Sequence, residues 1–183
     1  MGRDAGRRSR GVTLVESALV LPFLITVVFG IIELGLLFDT ATVTSNATRS
    51  GARLASANYA AATAAERPAV VDTVRLSVEE SLNGLRGNVT PLVLWIYEAN
   101  ASGRPTSSGN FTSCSSSCIR FTWDGTQFAS QTGTWTDPVA CGTNFDRIGV
   151  YIRVRHDALG SVGLSRTIDE HSVMRFEPRT NCP

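Results

Sequence analysis

Residues 11–38 read GVTLVESALVLPFLITVVFGIIELGLLF and form the longest apolar run in the chain. After residue 17, only Pro22, Thr26, Glu33 and glycines interrupt it. A helix needs ~20 mainly apolar residues to cross the ~30 Å of hydrocarbon in a bilayer. The run therefore predicts one membrane-spanning helix near the N-terminus.

The leader before this run, MGRDAGRRSR, is basic and carries a single acid. Arginines on one side of a span favour the cytoplasm, so we expect a single-pass protein with a cytoplasmic N-terminus. A cleaved secretory signal is the alternative. It is disfavoured because its apolar core is usually ~7–15 residues, and because the nearest small-residue cleavage pattern, at residues 45–47, lies well past the run.

Two carboxylates in the run need an explanation. Glu33 lies shortly before Asp39, which is compatible with the far membrane interface. Glu16 stands where the apolar residues begin, and an acid at the bilayer centre costs ~2.5–3.5 kcal/mol. Acidic residues are also favoured in the first turn of any helix, so this position alone does not require a function.

The order of a basic leader, Gly11, four residues, Glu16 and an apolar helix resembles the type III prepilin signal of type IV pilins and pseudopilins. The resemblance implies that a membrane prepilin peptidase cuts between Gly11 and Val12. It also implies that Glu16 pairs with the freed α-amino group of Val12 on a neighbouring subunit. A buried charge pair of this kind is tolerated only while both members are present.

Three segments resemble TadE-like pseudopilins of tight-adherence (Flp) pilus systems: VESALVLPFLITVVFGIIELGLLF, ATRSGARLAS at residues 47–56 and VMRFEP at residues 173–178. The resemblance implies a bacterial cell-membrane protein whose partners are other pilus or pseudopilin subunits. Ser17 follows Glu16 where the main pilins usually carry an aromatic residue, and those pilins are much shorter. Both differences favour a minor, pilin-like assembly component.

Residues 39–65 are rich in Ala, Thr and Ser and predict a helical stalk, because alanine is the best helix former. We expect one continuous helix from residue 14 to about residue 65. Its small residues would let another backbone approach closely; they include Ala47, Gly51, Ala52 and Ala55.

A second helix is predicted after Pro68, which suits the first turn of a helix. One apolar stripe at spacings of three or four marks its buried face: Val71, Val74, Val78, Leu82 and Leu85. Gly84 and Gly87 end it. We expect this stripe to pack on a sheet.

Alternating and continuous apolar patterns then predict strands near residues 92–97, 119–123, 148–155 and 173–176. The fold class is therefore α+β, with a long N-terminal helix, one short helix and a small antiparallel sheet of about four strands. The predicted organisation is a leader at 1–11, a transmembrane helix at 12–38, a stalk at 39–65 and an extracytoplasmic α+β domain at 66–183.

The four cysteines, Cys114, Cys118, Cys141 and Cys182, lie on the predicted outer side. An even number in a small exported domain favours disulfides, and four cysteines allow three connectivities. Proximity of the loops leads us to prefer Cys118–Cys141 with Cys114–Cys182. Zinc is disfavoured because structural sites usually show two tight ligand pairs, whereas His156 and His171 are far apart in sequence.

No catalytic motif accompanies these residues. The chain has no Gly-x-Ser-x-Gly elbow, no HExxH and no phosphate-binding glycine loop, so neither an enzyme nor a cofactor is expected. We expect His156–Asp157 and Asp169–His171 at solvated strand ends and turns. The net charge of +1 gives no electrostatic case for nucleic acid.

Two functions remain at this point. The first is a processed pseudopilin placed in a pilus assembly, and the alternative is an unprocessed, single-span, surface-anchored binding or adhesion module. They differ at one bond, because the mature chain begins at Val12 in the first case and near Met1 in the second.

Overall fold

The computed structural model describes residues 5–85, 87–107, 110–136, 138, 146–158 and 165–176, with backbone alone for residues 5–12. The chain divides into two compact units, Met1–Phe38 and Asp39–Pro183. The first helix, α1, spans Ala5–Asn58 and contributes residues to both units.

In the first unit, α1 exposes its apolar side chains. Leu14, Leu19 and Phe23 are each more than two-thirds exposed, at 72%, 75% and 72%. It is the one helix in the described part of the chain that is long and apolar enough to cross a membrane. Pro22 lies inside it, and the Thr26 hydroxyl donates to the Pro22 carbonyl at 2.8 Å. The predicted long apolar helix is confirmed, although it begins upstream of residue 14.

In the second unit, the remainder of α1 has one buried side, and this side consists of small residues. We call these the small-residue stripe: Thr40, Thr44, Ala47, Thr48, Gly51, Ala52 and Ala55. A Cβ added at Gly51 would lie 3.0 Å from Cγ2 of Val78 and 3.5 Å from Cγ1 of Val150. The close approach expected of these residues is therefore made by side chains of the second helix and the sheet.

Helix α1 ends at Asn58, so the predicted continuation to residue 65 is wrong. The ring of Tyr59 is buried, and its hydroxyl donates to the Trp135 carbonyl. This tertiary contact outweighs the helix propensity of the alanines that follow. A turn then leads into α2, Arg67–Leu82, whose buried residues are Val71, Val74, Val78 and Leu82, as predicted. A short 3₁₀ turn, Asn83–Leu85, follows it.

The sheet is antiparallel and has five strands in the order β3-β2-β1-β4-β5. The strands are β1 (Val89–Ala99), β2 (Cys118–Trp123), β3 (Phe128–Thr132), β4 (Arg147–His156) and β5 (Arg166–Arg175). The α+β class is confirmed, and β1 is the central strand of the sheet. The predicted count of four is one too low, because β3 gives no apolar pattern: apart from Phe128, this short strand has small or polar side chains that are mostly exposed.

The two faces of the sheet are covered differently. The inner face packs with α2 and the small-residue stripe into the main core; its side chains include Leu94, Ile96, Phe121, Val150 and Ile152. On the outer face, Trp95, Tyr97 and Tyr151 form a second cluster with Cys118 and Ala99. Alternation along β1 thus gives a strand that is apolar on both sides, as its sequence indicated.

Candidate processing and assembly site

The predicted processing and assembly residues share one helix. Gly11, Val12 and Glu16 all lie in α1, so the Gly11–Val12 bond is part of helical backbone. Val12 and Glu16 are four positions apart, which is about 6 Å along the axis of an α-helix. The freed amine of Val12 would therefore lie about one helical turn before Glu16.

Glu16 is exposed within an apolar surface. Its neighbours Leu14 and Val15 are 72% and 63% exposed, and the apolar window of the helix has no buried residue. A carboxylate on such a surface loses its hydration when the helix enters lipid or a bundle of helices. A cationic partner would offset that loss.

The cysteines are joined differently from our prediction. A disulfide links Cys114 to Cys118, whose Cα atoms are 5.7 Å apart, so both preferred pairings are wrong. A local turn makes this pairing possible, because Ser117 adopts a φ of 52° immediately before Cys118. The disulfide also needs Gly133, which has a φ of 80°, since a Cβ there would overlap the Cys114 sulfur. Cys141 and Cys182 lie outside the described residues.

The segment next to this disulfide covers the outer face of the sheet. The Phe111 ring stacks on Tyr151, with centroids 3.8 Å apart and planes 7° apart. It also meets the rings of Trp95 and Tyr97 edge-on. Sequence reasoning missed this role; a lone aromatic residue within a Ser/Gly-rich loop was the available signal.

Burial in the second unit shifts the pKa of the tyrosines. Removal from water raises the pKa of Tyr151 to about 12, and the nearby Asp169 carboxylate adds to the increase. Burial likewise raises the pKa of Tyr59 to about 12 and raises that of Tyr97. All three phenols therefore stay neutral at a higher pH than an exposed tyrosine would.

The titratable residues weighed for catalysis are not assembled into a site. His156 is buried rather than solvated, and its Nδ1 lies 3.2 Å from the Thr40 hydroxyl. Asp169 lies within β5 rather than at a turn, and it accepts from Arg153 at 2.7 and 3.2 Å. Among the described residues, no three His, Cys, Asp or Glu side chains come together as a metal site would require.

One comparison with known proteins identifies a segment of the chain. Residues 11–53 match the family model described as TadE-like protein. No curated protein sequence and no solved structure matches the chain. The matched segment begins at Gly11, contains Glu16 and extends into the small-residue stripe as far as Ala52. This N-terminal segment is therefore similar to the TadE-like family, as the resemblance in the sequence indicated.

Proposed function

We propose that this protein is a minor, pilin-like component of a tight-adherence pilus assembly apparatus, processed by a prepilin peptidase after Gly11. The observation that carries the proposal is the TadE-like match over residues 11–53, which begins at the proposed cleavage position and includes Glu16. TadE-like pilus components have structural roles. Residues 1–11 stay in the cytoplasm, and residues 66–183 form the extracytoplasmic domain.

The physical logic of processing supports this function. Cleavage removes the arginine-rich leader, whose charges hold the helix in the membrane, and it leaves the apolar helix intact. The N-terminal end of the helix then carries one new positive charge, the amine of Val12, close to the negative charge of Glu16. Pairing them between neighbouring subunits satisfies both charges inside an apolar bundle.

Processing is tested on the full chain co-expressed with a prepilin peptidase. Intact mass and N-terminal sequencing should give a product that begins at Val12. Gly11→Leu should stay full-length, whereas Gly6→Leu, a matched change within the leader, should still be cut. If the unchanged chain keeps its leader under these conditions, the alternative of an unprocessed surface-anchored module is correct.

The assembly role of Glu16 needs a separate experiment. Glu16→Ala should be cut at the same bond but should assemble poorly, because the amine of Val12 loses its partner. Ser17→Ala is the matched control and should both be cut and assemble. The measurement is recovery of the processed protein with pilus subunits from sheared or cross-linked cells. Normal recovery of Glu16→Ala would remove the assembly role while leaving the processing result intact.

A further inference from the structure

Four segments of the chain carry the Asn-x-Ser/Thr pattern of an N-glycosylation acceptor, and the proposed function uses none of them. They begin at Asn46, Asn88, Asn100 and Asn110. The pattern also arises by chance, so the position of each asparagine in the fold decides whether it can be modified. An acceptor has to lie at the surface, in a segment whose backbone is not part of a helix or a sheet, because the transferase must enclose it.

Two of the four patterns are part of regular structure. Asn46 lies inside α1, and the third residue of its pattern, Thr48, is buried with its hydroxyl bonded to a carbonyl of the same helix. Asn88 immediately precedes β1, and its carbonyl accepts from the backbone N–H of Asp157 at 2.7 Å. The third residue of that pattern, Thr90, is paired with β4. A transferase could enclose neither segment without unwinding the helix or opening the sheet.

The pattern at Asn100 forms a closed turn after β1. The Asn100 Oδ1 atom accepts from the backbone N–H and the hydroxyl of Ser102, at 2.9 and 2.7 Å, and from the backbone N–H of Arg104 at 3.0 Å. The backbone N–H of Asn100 donates to the Arg104 carbonyl at 2.8 Å. The side chain is half-buried. These hydrogen bonds give Asn100 a structural role, as asparagine often has in turns.

The pattern at Asn110 has the surroundings that an acceptor needs. Asn110 and Thr112 are both exposed and lie outside the helices and strands. Between them, the ring of Phe111 stacks on Tyr151 and holds this segment at the surface of the sheet. The Thr112 hydroxyl donates to Oδ1 of Asn110 at 2.5 Å. The hydroxyl that the pattern specifies therefore engages the carbonyl end of the carboxamide, and Nδ2, the atom that would carry a sugar, lies on the other side of Cγ.

We propose that Asn110 is the site at which this protein is N-glycosylated. The donor is a sugar or oligosaccharide activated as an anomeric phosphate ester. Nδ2 of Asn110 forms a bond to the anomeric carbon, the bond from that carbon to the phosphate oxygen breaks, and Nδ2 gives one proton to the transferase. The glycan adds a bulky, hydrated group beside Phe111 over the outer face of the sheet. The site is independent of the proposed processing, because it lies outside residues 11–53.

The test uses the full chain recovered from the envelope of the cells that produce it. After reduction and digestion with trypsin, mass spectrometry with electron-transfer fragmentation locates any added mass on individual residues. The expected result is a glycan on Asn110 and none on Asn46, Asn88 or Asn100. The N-terminal peptide of the same digest reports cleavage at Gly11 separately, so failure of one proposal is distinguishable from failure of the other.

Variants of exposed residues show whether the pattern directs the modification. Asn110→Gln and Thr112→Ala should each lose the glycan completely, because one removes the acceptor nitrogen and the other removes the required hydroxyl. Thr112→Ser restores a hydroxyl and should keep the glycan. Asn46→Gln, which changes an exposed asparagine of the same pattern on α1, is the matched control and should also keep it.

Three results would overturn the proposal. The first is a native peptide that has only the mass of its sequence. The second is a glycan on an asparagine other than Asn110, and the third is a glycan that persists in Thr112→Ala.

Discussion

At the residue scale, two glycines are fixed by the side chains that lie against them. A Cβ at Gly133 would overlap the disulfide sulfur of Cys114, and one at Gly149 would overlap the ring of Tyr97. Gly149 and Tyr97 are cross-strand partners of β4 and β1, so the ring lies over the position that a side chain would take. The Tyr97 hydroxyl holds the ring there by donating to the Gly103 carbonyl at 2.9 Å.

Replacing Gly149 by alanine should therefore destabilise the second unit. Overpacking of this kind costs about 1–3 kcal/mol in free energy of unfolding, because the ring of Tyr97 must move or the strands must separate. Chemical denaturation of the full chain in detergent measures the loss. Gly84→Ala is the control, since a Cβ there meets nothing within 4 Å. Equal stability of the two variants would contradict the proposed steric role of Gly149.

The tyrosines predict how stability depends on alkaline pH. Tyr59, Tyr97 and Tyr151 are the only tyrosines in the sequence, and burial raises the pKa of each. The folded chain holds these protons more tightly than the unfolded chain. The contribution of the tyrosines to the free energy of unfolding is therefore complete below pH ~10 and is lost as the pH rises to about 12.

Absorbance at 295 nm, which reports tyrosinate, checks this expectation. The native chain should show little tyrosinate at pH ~10, where the chain unfolded in denaturant should be half ionised. The free energy of unfolding should fall over the same interval above pH ~10. Native titration with a midpoint at pH ~10 would mean that the phenols are exposed, contrary to the packing described.

At the element scale, strong hydrophobic periodicity predicts the helices and strands correctly, and weak periodicity does not. The stripe of α2 and the alternation of β4 are regular because each element buries one complete face. Strand β5 was predicted only over residues 173–176, since Asp169–His171 resembled a turn; Ile168 and Met174 pack on the main core from the same strand. The end of α1 and the Cys114–Cys118 pairing depend on tertiary contacts and a positive φ, which no local pattern encodes.

The ring of Phe111 covers the outer face of the sheet, and this contact leads to a prediction. Phe111→Ala removes the stacked ring from Tyr151 and uncovers Trp95. We expect the free energy of unfolding to fall by about 1–3 kcal/mol. This is less than the ~3–5 kcal/mol for a fully buried phenylalanine, because Phe111 is only half-buried. Leu76→Ala on α2 is the control, as Leu76 is 54% exposed.

The free energy of unfolding and the quenching of tryptophan fluorescence together test whether Phe111 protects this face of the sheet. Tryptophan fluorescence of Phe111→Ala should become more accessible to acrylamide, and that of Leu76→Ala should not. If Phe111→Ala leaves both the free energy of unfolding and the quenching unchanged, the segment does not protect this face of the sheet.

At the scale of the whole molecule, the two units have different requirements for stability. The first exposes a helix of apolar side chains and needs lipid or neighbouring helices to cover them. The second buries its own core between two helices and a sheet, and it adds a disulfide near the cover of the outer face. A disulfide persists in an oxidising compartment, which agrees with the orientation proposed from the leader arginines.

The last prediction joins the disulfides to that orientation. With Cys114 bonded to Cys118, the remaining pair is Cys141 and Cys182, and we expect them to be joined in protein recovered from the cell envelope. Loop entropy makes the two disulfides unequal in their contribution to stability. The first closes a loop with a sequence separation of 4, and its removal should lower the free energy of unfolding by about 2 kcal/mol. The second spans roughly forty residues, and its removal should lower the free energy of unfolding by about 4 kcal/mol.

Mass mapping of non-reduced peptides and denaturation of the paired cysteine-to-serine variants test both parts. Recovery of Cys114 linked to Cys141 or Cys182 would contradict the pairing. Four free thiols in envelope protein, alkylated under native conditions before lysis, would contradict more than the pairing. That result would place residues 66–183 in a reducing compartment, which is incompatible with a cytoplasmic leader and an exported domain.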